Sequence, residues 1–203
     1  MKNKIIYLEG DIAKESIRGD SIAIDAEMTG LSLMRDRLCT VQIATDGGPA
    51  FVIKLDPPYD CPNLKRILND RRIVKIGHFI RADMAMIQKC LGIEIENVFC
   101  TKIASRLCRT SSDKHSLGAL VREICGVELD KDEQTSDWAG PLSQRQIEYA
   151  AADVIHLHRI RDELARRLER EGRTELARKC FDFLPARVRL DLGGFGECDI
   201  FAH

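Results

Sequence analysis

The run Ile22-Ala23-Ile24-Asp25-Ala26-Glu27-Met28 has the make-up of a buried β-strand, yet it carries two carboxylates at alternate positions. Residues i and i+2 of a strand point to the same face. Asp25 and Glu27 are therefore aimed together from a segment otherwise fit for a core. Two such charges repel, and removing them from water unpaired is costly. Either the strand lies at a sheet edge with its acids solvated, or a cation joins them. Hard divalent ions such as Mg2+ and Mn2+ favour carboxylate oxygens.

The neighbouring segments set the fold class. Residues 21–28, 38–45 and 50–55 read as three strands, the last two separated by the turn signal Asp46-Gly47-Gly48-Pro49, which predicts an antiparallel meander. After Pro57-Pro58 come a short helix over 63–68, a buried strand over 73–77, a helix over 82–91 stopped by Gly92, and a short strand over 98–100. Helices follow over 101–108, 116–125 and 143–172, the last with room for a break. This order predicts an α/β domain with a mixed central sheet flanked by helices. The chain of 203 residues is long enough for one sizeable core. We assign 1–180 to that domain and 181–203 to a tail. Residues 174–203 hold Phe181, Phe183, Leu184, Phe195 and Phe201 without a clear period. Such a tail packs on its own domain or on a neighbouring subunit.

Composition narrows the function class. The net charge of −1 gives no bulk attraction to nucleic acid, and no apolar run reaches the length of a membrane span. The first residues lack the apolar stretch of a signal peptide, so the cytoplasm is the expected location. The eight cysteines form no CxxC pair and no zinc-like spacing with histidine, which predicts reduced thiols used as small core residues.

Three more positions carry chemistry. Asp83 follows the buried strand at the start of the next helix. Tyr149 and Asp153 lie i, i+4 on one helix face, and three alanines between them keep that helix thin. A lone DxE or YxxxD is a weak signal, but the three features in this order are strong together.

With these motifs the sequence resembles the DEDD superfamily of 3′–5′ exonucleases, in its tyrosine-bearing branch and near ribonuclease D. Glu148 stands where the histidine-bearing branch has its histidine. Cys100-Thr101-Lys102-Ile103-Ala104 and Gln134-Thr135-Ser136-Asp137-Trp138 extend the likeness. Phe183-Leu184-Pro185 and the ending Asp199-Ile200-Phe201-Ala202-His203 are similar to the nano-RNase C family of stand-alone exonucleases acting on diribonucleotides. The resemblance implies a ribonuclease H-like fold and two divalent cations, Mg2+ or Mn2+, held by Asp25, Glu27, Asp83 and Asp153. It implies that Tyr149 orients the attacking water. It also implies short single-stranded RNA as substrate, nucleoside 5′-monophosphates as products, no membrane partner, and a homo-oligomer, an octamer. Met28, Thr29, Gly30 and Leu31 would meet the terminal sugar and a base, Leu31 by analogy with the wedging leucine of oligoribonuclease. His78 is a substrate-contact candidate, although a His after a buried strand is commonly a hydrogen-bonded structural group. Trp138 reads as a loop anchor more than as a stacking platform. The alternative activity is ribonuclease D-like trimming of longer RNA or tRNA ends.

Overall fold

Strand β2 (Ser21–Met28) is hydrogen-bonded on both sides, antiparallel to β3 (Leu38–Thr45) and parallel to β5 (Val74–Gly77). The acids of β2 therefore do not lie on a sheet edge, which removes the solvated-edge alternative. The computed structural model describes residues 4–202 apart from 18, 31, 131, 132, 134 and 135. Six strands form one mixed sheet in the order β1-β4-β3-β2-β5-β6, with β1 (Ile5–Glu9) parallel to β4 (Ala50–Lys54) and β6 (Val98–Cys100) parallel to β5. The meander is β2-β3-β4, as the turn signals require. Strand β1 is absent from the sequence reading. It is a five-residue, half-exposed edge strand, so its side chains show little alternation.

Helices cover both faces. The alternation of β2 sorts its residues: Ile22, Ile24 and Ala26 enter one core layer with Leu64 of α1 (Pro62–Asn69) and Met84 and Ile87 of α2 (Arg81–Leu91). Ala23 enters the other layer. The chain continues through α3 (Thr101–Cys108) and α4 (Leu117–Leu120), which runs into a π-helical turn at Val121–Cys125. The expected 143–172 helix is two helices, α5 (Gln144–Ile155) and α6 (Leu157–Arg170), parted at His156. Ser143 and Gln146 form a capping box that fixes where α5 starts.

The tail differs from the sequence expectation. Residues Thr174–Leu192 form one helix, α7, and its Ala177, Phe181, Leu184 and Val188 are buried at helical spacing. Phe181 packs its ring 4.8 Å from that of Phe99. The boundary drawn at 180/181 thus falls inside α7. The period is hidden in the sequence because Pro185, charged residues and Phe183 on the outer face interleave with the buried stripe. All eight cysteines are free: four are buried, three are half-buried, and Cys198 alone is exposed.

Candidate active site

Small residues bring the acids together. Ala150 and Ala151 of α5 are fully buried against Ala23, Ala44 and Ala50 of the sheet. Few methyl groups intervene, so the α5 backbone comes close to β2 and delivers Asp153 beside the acids of the strand. Carboxylate oxygens of Asp25, Glu27 and Asp153 all lie within 4.8 Å of one another. Asp83 joins them electrostatically from the first turn of α2. Strand β5 pairs with β2 only as far as Ala23 and ends at Gly77, so the chain turns into α2 at the level of the acids. A Cβ on Gly77 would lie 2.5 Å from the Ile80 side chain, so this turn needs glycine. A register irregularity after Glu27 ends the regular ladder beside the cluster.

The electrostatics are those of a buried anion cluster. Burial, then Asp83, Asp153 and Glu27, hold Asp25 far above the usual carboxylate range. Burial first and Asp153 second push Glu27 up to about 8. Asp83 and Asp153 are raised, chiefly by burial. None of these four groups owes any lowering to a lysine or arginine. The donor set is all carboxylate oxygen, which fits hard divalent cations and not zinc-type thiolate or imidazole coordination.

Tyr149 projects from the same helix one turn before Asp153. Burial, followed by Asp153, Glu27 and Asp25, raises its phenol above 10, so the hydroxyl keeps its proton at neutral pH. Its ring packs against Trp138, centroids 6.1 Å apart. Trp138 is 2% exposed and serves as an anchor. Lys54 Nζ donates to its carbonyl at 2.8 Å, and Gln146 Nε2 donates to the Asp137 carbonyl at 3.0 Å.

The substrate candidates are distributed unevenly. A cleft of about 290 Å3 has Met28 and Leu33 on one side and Phe79, Ala82 and Met86 on another; Met28 and Ala82 are the chain neighbours of Glu27 and Asp83. Met28 is thus a cleft residue. Thr29 is tied into its own loop: its N–H donates to the Arg37 carbonyl and its hydroxyl to Asp36. Gly30 lets the Asp36 carboxylate come close: a Cβ there would lie 2.6 Å from Asp36 Oδ2. Leu31 lies outside the described residues. His78 shares a hydrogen bond with Thr101 Oγ1 at 2.9 Å and is not among the cleft-lining residues. Burial, with Lys102 nearby, lowers His78 to about 4, so the ring is neutral. The cleft instead takes its neighbour Phe79, which sequence reasoning missed. Phe79 is half exposed, has a φ of 60°, and carries Lys102 Nζ 3.9 Å from its ring centroid. A bulky residue in the left-handed region is uncommon and marks a position worth a functional reading. No local sequence signal announces it.

Comparison with known proteins agrees with this geometry. A family described as 3′–5′ exonuclease matches residues 8–169. The solved structure of Brucella melitensis NrnC bound to pGG is 47% identical, with a TM-score of 0.95 over 100% of both chains. The same protein with bound Mg2+ is 46% identical, with a TM-score of 0.94 over 98% of this chain and 99% of that one. Ribonuclease D of Gluconacetobacter diazotrophicus is 36% identical over 155 residues, which is 76% of this chain and 39% of that protein. The chain spans about two fifths of the length of the curated ribonuclease D relatives it matches, 38–41% for the next two.

Proposed function

The chain belongs to the 3′–5′ exonuclease family, and from that membership we propose that it is a metal-dependent exoribonuclease of very short RNA. On this reading it hydrolyses diribonucleotides to nucleoside 5′-monophosphates. The observation that carries it is the convergence of the Asp25, Glu27 and Asp153 carboxylates, with Asp83 interacting alongside. Two divalent cations, Mg2+ or Mn2+, would supply there the charge stabilisation that in-line phosphodiester cleavage requires. Asp25, central in the cluster, would hold both. Glu27 and Asp153 would complete one position and Asp83 the other. Tyr149 keeps its proton, so its role is to hold and orient the attacking water through hydrogen bonds and not to act as a base.

Support for a short substrate comes from two sides. The full-length likeness is to an enzyme solved with pGG. The cleft, at about 290 Å3, is at the small end of ligand sites. We further propose a closed homo-oligomer, an octamer, with the outer face of α7 and the C-terminal aromatics as the contact. Among the described residues no helix is long and apolar enough to cross a membrane.

The test is a time course on labelled RNA of two to twenty nucleotides with Mg2+ or Mn2+. Dinucleotides are expected to disappear fastest, and EDTA to stop the reaction. Faster decay of the 20-mer would favour ribonuclease D-like trimming, and full activity in EDTA would remove the metal assignment.

A further inference from the structure

The strand acids have polar neighbours on the next strand. In the register of β2 with β3, Asp25 lies opposite Gln42 and Glu27 opposite Thr40, so the four side chains share one face of the sheet. Gln42 and Thr40 are both fully buried. Gln42 Nε2 donates to Thr40 Oγ1 at 2.7 Å, which draws the amide along β3 towards the position opposite Glu27. The other end of the amide, Oε1, is buried and has no hydrogen-bond partner among the described residues. Leaving a buried amide end unpaired is costly, and this one belongs to the residue opposite Asp25.

The cation on the same row does not serve the acids. Lys54 of β4 lies opposite Thr40 and is buried, but its ammonium donates to the Trp138 and Ala139 carbonyls at 2.8 and 3.2 Å. Asp25 takes one hydrogen bond from the Ala26 backbone. A lysine beside the cluster would compete with a divalent ion for the carboxylates. An amide donates without a charge and leaves the demand for a cation intact. Its two ends are also nearly equal in shape. Turned over about its Cγ–Cδ bond, Gln42 accepts from the Thr40 hydroxyl through Oε1 and carries the N–H donors of Nε2 to the unpartnered side.

Resting on the cation reading above, we infer that Gln42 is a positioning residue for Asp25. In the turned-over orientation Nε2 donates to the Asp25 carboxylate, and the Thr40 hydroxyl holds the amide in place. Both ends of the amide then have partners, as buried polar groups require. Asp25, the acid assigned to both cations, is fixed in orientation by a neutral donor from the neighbouring strand. Partners of this kind orient a ligating carboxylate and set how well it binds its ion.

The test compares the intact protein with Gln42→Met, which keeps the length and removes the amide, and with Thr40→Val, which keeps the shape and removes the hydroxyl. Mn2+ affinity is measured by calorimetry on the substrate-free protein, kcat and KM on a dinucleotide, and melting temperature in EDTA. Gln42→Met is expected to weaken Mn2+ binding about tenfold and to lower kcat about tenfold, with KM within about twofold. Thr40→Val is expected to act in the same direction by about threefold, and the double variant to be no worse than Gln42→Met, since Thr40 works through Gln42. A crystal structure of the intact protein with Mn2+ is expected to place the Gln42 amide within about 3.2 Å of an Asp25 oxygen. A separation beyond about 3.5 Å would overturn the inference. So would a folded Gln42→Met protein with unchanged Mn2+ affinity, even one of lower melting temperature, because its role would then be packing alone. Failure of the intact protein to bind Mn2+ would instead overturn the cation reading on which the inference rests.

Discussion

Asp25, Glu27, Asp83 and Asp153 are folded into mutual repulsion: burial raises all four, and neighbouring carboxylates add to it at Asp25, Glu27 and Asp83. Removing one charge relieves the metal-free protein while taking away a cation ligand. Asp25→Asn and Asp153→Asn are therefore expected to lower turnover by about a thousandfold or more. They should leave the melting temperature of the chelated protein equal or a few degrees higher. Wild-type turnover in either variant would remove the two-cation site. Tyr149→Phe deletes only the hydroxyl assigned to the water. It is expected to cut kcat by about a hundredfold with KM nearly constant, and a pure rise in KM would reassign the hydroxyl to the nucleotide. The acids were legible residue by residue because carboxylates in apolar or alanine-rich company are anomalous. Phe79 was not, because its exposure and backbone angle are properties of the turn it closes.

At the scale of elements, the approach of α5 to β2 decides whether Asp153 reaches Asp25. Ala151 is fully buried in the contact with the sheet. Ala151→Leu overpacks it, with an expected cost of about 1–3 kcal/mol by denaturant titration. Loss of activity should exceed the loss of folded protein, because the helix carrying Tyr149 and Asp153 is displaced. Strand β5 carries a different burden. Lys75 is fully buried, its ammonium donating to the Asp70 and Ile73 carbonyls at 2.9 and 2.8 Å, and burial lowers it from 10.5 to about 8. Between those values the unfolded chain binds the proton that the folded one has released, so stability rises with pH across about 8–10.5 and is flat below it on this account. The gain is up to about 3 kcal/mol, and it should vanish in Lys75→Met. A Lys75→Met protein with the same slope would refute the assignment.

For the whole molecule, the exposed apolar surface is concentrated at the end of the chain. Phe183 is 41% and Phe201 77% exposed, with ring centroids 6.3 Å apart, and Phe195 and Ile200 are also exposed. A cluster of this kind usually marks an interface. Cutting the chain at residue 181 would strip Phe181, Leu184 and Val188 from the core, so it is expected to unfold the domain and is no clean test. Phe183→Ser with Phe201→Ser spares those buried positions. Light scattering is expected to show a smaller species with an unchanged far-ultraviolet circular dichroism spectrum. A variant that keeps the size of the intact protein would exclude this face as the contact.

The sequence by itself determined the local items. These are the alternation that aims Asp25 and Glu27 together, the meander with its Asp46-Gly47-Gly48-Pro49 turn, the i, i+4 pairing of Tyr149 with Asp153, and the family they jointly indicate. Each follows from interactions among near neighbours in the chain, where periodicity and turn chemistry suffice. Only the tertiary structure decided that Asp83 and Asp153 meet the strand acids. Their convergence depends on the parallel pairing of β5 with β2 and on an alanine contact between α5 and the sheet. It also decided that residues 174–192 are a core helix, whose buried stripe is diluted in sequence by an outward face that is itself partly apolar. The cleft unites Met28, Phe79 and Asp191 from distant parts of the chain, and packing alone sets the distance between such residues.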